Sequence, residues 1–108
     1  KINLKLKKKN YAKFSSLEKR FGEYYLRFTT EDKPGVISGI TKEFKKNKIS
    51  MKSMLQEDSK STRQKNATII ITTHNCEEKN MIDALNRINN MNFIKKKTVY
   101  FRIENFIN

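Results

Sequence analysis

A chain of 108 residues has room for one domain with a modest core, which excludes a dinucleotide-binding domain and a substrate domain side by side. Its 24 Lys and Arg against 11 acids give a formal charge of +13, which alone suggests nucleic acid or an anionic surface, yet 19 of the 24 are Lys beside 12 Ile and 12 Asn, a set that A/T-rich codons produce across a whole proteome. The one cysteine, Cys76, excludes an internal disulfide and fits a reducing, cytoplasmic compartment, and no apolar run reaches the about 18 residues that a membrane span needs.

In chain order, residues 1–23 hold eight basic and two acidic side chains and open on Lys1 without a methionine. They read as a basic linker from a preceding region of a longer or processed protein, with Phe14, Leu17 and Phe21 available to pack on the domain. The domain proper is expected over 24–106. Tyr24, Leu26 and Phe28 alternate with Tyr25, Arg27 and Thr29 at the spacing of a half-buried strand. Glu31-Asp-Lys-Pro-Gly-Val36 breaks that pattern with the chain's one proline. Val36, Ile37, Ile40 and Phe44 then fall at helical spacing, opposite Lys42, Lys45 and Lys46, until Asn47-Lys48.

Ile49 to Gln56 alternates again as a second strand, residues 57–66 read as a hairpin loop, and Ala67 to His74 is a strongly β-branched third strand. Asn75 is placed to cap the next helix, with Glu78 bonding back and Met81, Ile82, Leu85 and Ile88 as its apolar face to about Asn90. A last strand spans Thr98 to Glu104, with Val99, Phe101 and Ile103 expected inward. The order β-α-β-β-α-β predicts an α+β, ferredoxin-like fold, a four-stranded antiparallel sheet with two helices on one face.

That topology hosts unrelated functions. An RNA-recognition module needs base-stacking aromatics on the third strand, and ATIIITT offers none, so nucleic acid is disfavoured. His74 and Cys76 lack the additional ligands or orienting group that a metal or nucleophilic site requires, and no phosphate-binding glycine motif occurs, so neither a metal nor a catalytic set is assigned. Gly35 and Gly39 read as a stripe for close approach of helix to sheet. The Glu31–Val36 break remains open between two readings. It is a turn and helix cap, or it is a cradle in which the N–H groups of Gly35, Val36 and Ile37 receive a carboxylate and Asp32 accepts from an ammonium, the pair of partners a free amino acid needs.

Three stretches, EYYLRFTTEDKPGVISGITKEFKKNKISMKSMLQ, ATIIITTHNCEEKNMIDALNRI and VYFRIEN, together resemble an ACT domain, the small amino-acid-sensing module of metabolic enzymes. Their YYLR, DKPGV, I-S-x-x-S-x-x-Q, I-x-T-H and R-I-E elements are similar in detail to the C-terminal regulatory domain of the homoserine dehydrogenase family, over about residues 12–106. The resemblance implies a domain without catalytic residues or cofactor of its own, attached to an NAD(P)-dependent oxidoreductase that reduces aspartate semialdehyde to homoserine in threonine and methionine synthesis. It implies that threonine feeds back through a site made by Thr30, Asp32, Pro34, Gly35, Val36 and Ile37, with Ser50, Met51 and Gln56 from the second strand. Several ACT sites have Asn in the loop and at the second strand's start, where this chain has Asp32 and Ser50. It further implies a homodimer, paired through sheet edges or helices. The alternatives are an assembly-only domain and a basic RNA-binding module of the same topology.

Overall fold

A computed structural model describes residues 20–58 and 66–104. Strands β1 (Phe21–Glu31), β2 (Met51–Asp58), β3 (Asn66–Thr73), β4 (Cys76–Glu77) and β5 (Val99–Ile103) alternate with helices α1 (Val36–Lys46) and α2 (Glu78–Asn89) in the order β1-α1-β2-β3-β4-α2-β5. The expected antiparallel sheet with two helices is present, in the order β2-β3-β1-β5, and β4 adds a two-residue pairing to the start of β1.

β1 is central because it alternates fully. Tyr24, Leu26, Phe28 and Thr30 are buried on the helix side, level with Ala67, Ile69, Ile71 and Thr73 of β3. Val36, Ile40 and Phe44 of α1 and Met81, Ala84, Leu85 and Ile88 of α2 close over them, with the Phe28 and Phe44 rings 6.4 Å apart. Each large apolar side chain among them contributes roughly 1.5–3 kcal/mol by leaving water. The helices also meet through Glu43, whose Oε1 is buried and stands 3.9 Å from Arg87 Nε.

Several expectations are corrected. β1 starts at Phe21, three residues before the alternation that begins at Tyr24, because Phe21 and Gly22 pair with Glu77 and Cys76. That pairing draws Asn75 away from the helix: α2 begins at Glu78 after Glu77 with no side-chain cap, and the Glu78 N–H donates to Arg20 O at 2.7 Å. On α2 the fourth core position is Ala84, while Ile82 is 41% exposed. The expected hairpin loop is shorter, since Glu57 and Asp58 extend β2 and Asn66 opens β3; residues 59–65, like Phe14 and Leu17, lie outside the described residues.

Val99, Phe101 and Ile103 do not face the core. Register puts Phe101 beside Tyr25 and Val99 beside Arg27, on the sheet face away from the helices. The helix face there is taken by Tyr100 and Arg102, paired to Leu26 and Tyr24. Gly39 serves a close approach, but to the segment after α2 rather than the sheet: a Cβ there would lie 3.1 Å from the Phe93 ring.

Candidate functional site

The turn from β1 into α1 forms one wall of a cleft of about 600 Å³ whose lining includes Thr30, Asp32, Pro34, Gly35, Val36, Ile37 and Gln56. Local chemistry builds it. Gly35 sits at φ 90°, a left-handed conformation that favours glycine, so the chain reverses sharply and α1 starts one residue later. Pro34 therefore precedes the helix by two positions instead of occupying its first turn.

The first intrahelical bond runs from Gly39 N–H to Gly35 O at 2.9 Å, so the N–H groups of Val36, Ile37 and Ser38 lie at the open end of α1, beside the turn at Pro34–Gly35. No side chain caps this end and its first turn holds no acid. Such an end attracts an anion through aligned donors and the helix dipole. Asp32, exposed at the rim, forms no ion pair among the described residues.

Glu31, the neighbouring carboxylate, is committed elsewhere. It lies 2.8 Å from Lys95 Nζ and 3.0 Å from Lys33 Nζ. Their hydrogen bonds, Lys95 first and Lys33 second, hold its carboxyl below the ordinary glutamate value. Backbone bonds add to this tether, from Glu31 N–H to Phe93 O and from Lys95 N–H to Thr29 O, each 2.8 Å. The end of β1 is thus clamped while the loop beyond it stays open.

Seven of the nine residues expected at the site line this cleft; Ser50 and Met51 do not. β1 and β2 run parallel, each antiparallel to β3, so the start of β2 lies beside the start of β1 and its end beside the loop. Gln56 pairs with Ile69 near the loop, whereas Met51 pairs with Thr73, five residues or about 17 Å away. Ser50 instead accepts the His74 N–H at 2.9 Å. Thr30 lines the cleft with its hydroxyl already donated to Glu31 O. Sequence reasoning missed Glu31, Lys33, Ser38 and Ile69. Lys33 lies inside the motif, and Ile69 follows once the hairpin register is known.

His74 is exposed and Cys76 is buried, so the two do not share an environment. Among the described residues no helix is long and apolar enough to cross a membrane.

The family model of the ACT domain matches residues 24–92. The chain belongs to the ACT domain family. This ACT domain is 38% identical over 81 residues to a homoserine dehydrogenase of Methylobacillus glycogenes and 32% identical over 82 residues to that of Helicobacter pylori, matching 75% and 76% of the chain. It spans 19% of the length of each of those relatives. Among solved structures, a homoserine dehydrogenase from Thiobacillus denitrificans superposes with TM-score 0.70 at 29% identity, over 79% of this ACT domain and 18% of that chain. The ACT domain of a GTP pyrophosphokinase from Chlorobium tepidum, with TM-score 0.59 at 12% identity over 76% of this chain and 100% of its own, shares the fold.

Proposed function

We propose that this ACT domain is the regulatory part of a homoserine dehydrogenase and binds a free amino acid, threonine, in the cleft between β1, α1 and Gln56. The observation that carries the reading is the juxtaposition at the turn. The N–H groups of Val36, Ile37 and Ser38 lie at the open end of the helix, and the Asp32 carboxylate stands at the rim of the same cleft. The ligand carboxylate sits on the helix end, its ammonium goes to Asp32, and its side chain lies toward Gln56 and Ile69. Kinship to homoserine dehydrogenases supports threonine as the effector and an NAD(P)-dependent catalytic region as the attached partner. Regulation then works by differential affinity: threonine favours the enzyme arrangement that holds this cleft in its binding shape, with a coupling of about 1–3 kcal/mol.

Thermal unfolding with each of the common amino acids tests the reading. A ligand at about 100 times its Kd adds roughly 2.7 kcal/mol, an upward shift on the order of 10 °C for a domain of this size. Threonine is expected to give that shift. A melting temperature indifferent to every amino acid would overturn the sensor reading.

A further inference from the structure

Glu31 is one carboxylate held between two ammonium groups: Lys95 Nζ lies 2.8 Å from its Oε1 and Lys33 Nζ 3.0 Å from its Oε2. The trio carries one positive charge more than it needs. Its two lysines stand on different ground. Lys95 is fixed by its own N–H bond to Thr29 O, is the larger cause of the lowered Glu31 carboxyl, and does not line the cleft. Lys33 belongs to the loop after β1, lines the cleft with Glu31 and Asp32, and has a side chain 44% exposed.

We propose that Lys33 is the carboxylate-recognising side chain of the cleft, bridging Glu31 and the carboxylate of the bound amino acid. This role deepens the amino-acid reading above and rests on it. An ammonium has three N–H donors, and Glu31 takes one of those on Lys33. A ligand can use the others without breaking the existing pair. Asp32 supplies the complement: it lines the same cleft and forms no ion pair among the described residues. One surplus ammonium and one unmatched carboxylate on successive residues are what a zwitterion neutralises. A ligand with a single charge leaves one of them unmet, so the cleft selects free amino acids over their amides. Without Lys33, the ligand carboxylate would approach a wall that already holds Glu31, and like charges there repel.

The bridge also has a structural consequence. Lys33 links the ligand to Glu31, which is tied to the segment after α2 through Lys95 and through its own N–H bond to Phe93 O at 2.8 Å. A ligand bound this way draws the loop onto the clamped end of β1.

Titration calorimetry of the 108-residue chain with threonine and with threonine amide tests this role. Lys33→Met is expected to weaken threonine about fivefold, the upper end for a partly exposed ion pair, and to leave the weaker binding of the amide within about twofold. Lys33→Arg, which keeps the charge, is expected to retain most of the threonine affinity; it decides the matter if the amide binds too weakly to titrate. Lys95→Met separates recognition from support of the fold. It is expected to lower the melting temperature at least as much as Lys33→Met, yet to leave threonine affinity within about twofold. Threonine binding by Lys33→Met equal to the parent overturns the inference. So does a parallel loss for threonine and its amide, a Lys33→Arg variant as weak as Lys33→Met, or a larger loss of affinity in Lys95→Met, since each would reduce Lys33 to shaping the loop. A parent chain that binds no amino acid overturns the sensor reading and this role with it; the parent titration, read first, tells the two failures apart.

Discussion

The Lys95 ammonium lies 2.8 Å from one oxygen of Glu31, and Lys33 holds the other at 3.0 Å. The contact joins the segment after α2 to the end of β1, immediately before the turn that forms the cleft. Because the carboxyl is held below its ordinary value of 4.5, its contribution to stability is present above that value and is lost as pH falls through the lowered one. A carbon-detected NMR titration should place the Glu31 midpoint below that of an ordinary glutamate. Lys95→Met should move it upward, with a smaller movement for Lys33→Met, matching the order of the two causes.

At Gly35 the backbone, not the space, forbids a side chain. A Cβ there would meet nothing within 4 Å, but φ is 90°. Gly35→Val should therefore destabilise by about 1–3 kcal/mol through strain alone, besides blocking approach to the helix end. Gly35→Asn tolerates the left-handed conformation better and should keep most of the stability. Chemical denaturation of the two variants separates strain from ligand loss: the Asn variant should fold nearly as well as the parent and still respond less to threonine, since its side chain occupies the cleft.

Much of the fold was legible because burial and periodicity agree in β1, α1 and β3, where one face is covered and the other is not. Legibility fails where that correlation breaks. β5 alternates in sequence, but its apolar residues lie on the bare face, and alternation alone cannot say which side of a sheet is covered. At the site, local chemistry located the turn, while Ser50 and Met51 required knowing that β1 and β2 are parallel. Gln56→Ala should accordingly weaken the amino-acid response measured by calorimetry, and Met51→Ala should leave it unchanged. The reverse result would mean that the ligand sits at the other end of β2.

Ile82 and Met81 are adjacent on α2, and apolar spacing alone assigns both to one face. Burial separates them: Met81 is fully buried while Ile82 is 41% exposed. Met81→Ala should cost about 2–5 kcal/mol by leaving a cavity against the sheet. Ile82→Ala should fall within about 1 kcal/mol, because Ala's better helix propensity offsets part of the small area lost. Urea midpoints for the two variants check the assignment.

Cys76 and Tyr24 make the fold sensitive to alkali from inside. Burial pushes the Cys76 thiol above its ordinary value of 9.0, only partly offset by a hydrogen bond with Thr73. Burial also raises Tyr24 above 10.0, assisted by Glu78 and Cys76, and its hydroxyl is buried without a hydrogen-bond partner among the described residues. Both groups are acids whose folded values exceed their unfolded ones. Their contribution is thus complete below the unfolded values and disappears as pH rises through the folded ones. Unfolding free energy should hold steady up to about pH 8 and decline above it. Iodoacetamide should modify Cys76 far more slowly in the folded chain than in urea at the same pH, because the thiolate is both scarce and shielded. Cys76→Ala should flatten the first part of the alkaline decline and leave the later part, which belongs to Tyr24. An unaltered profile in that variant would assign the whole decline to other groups.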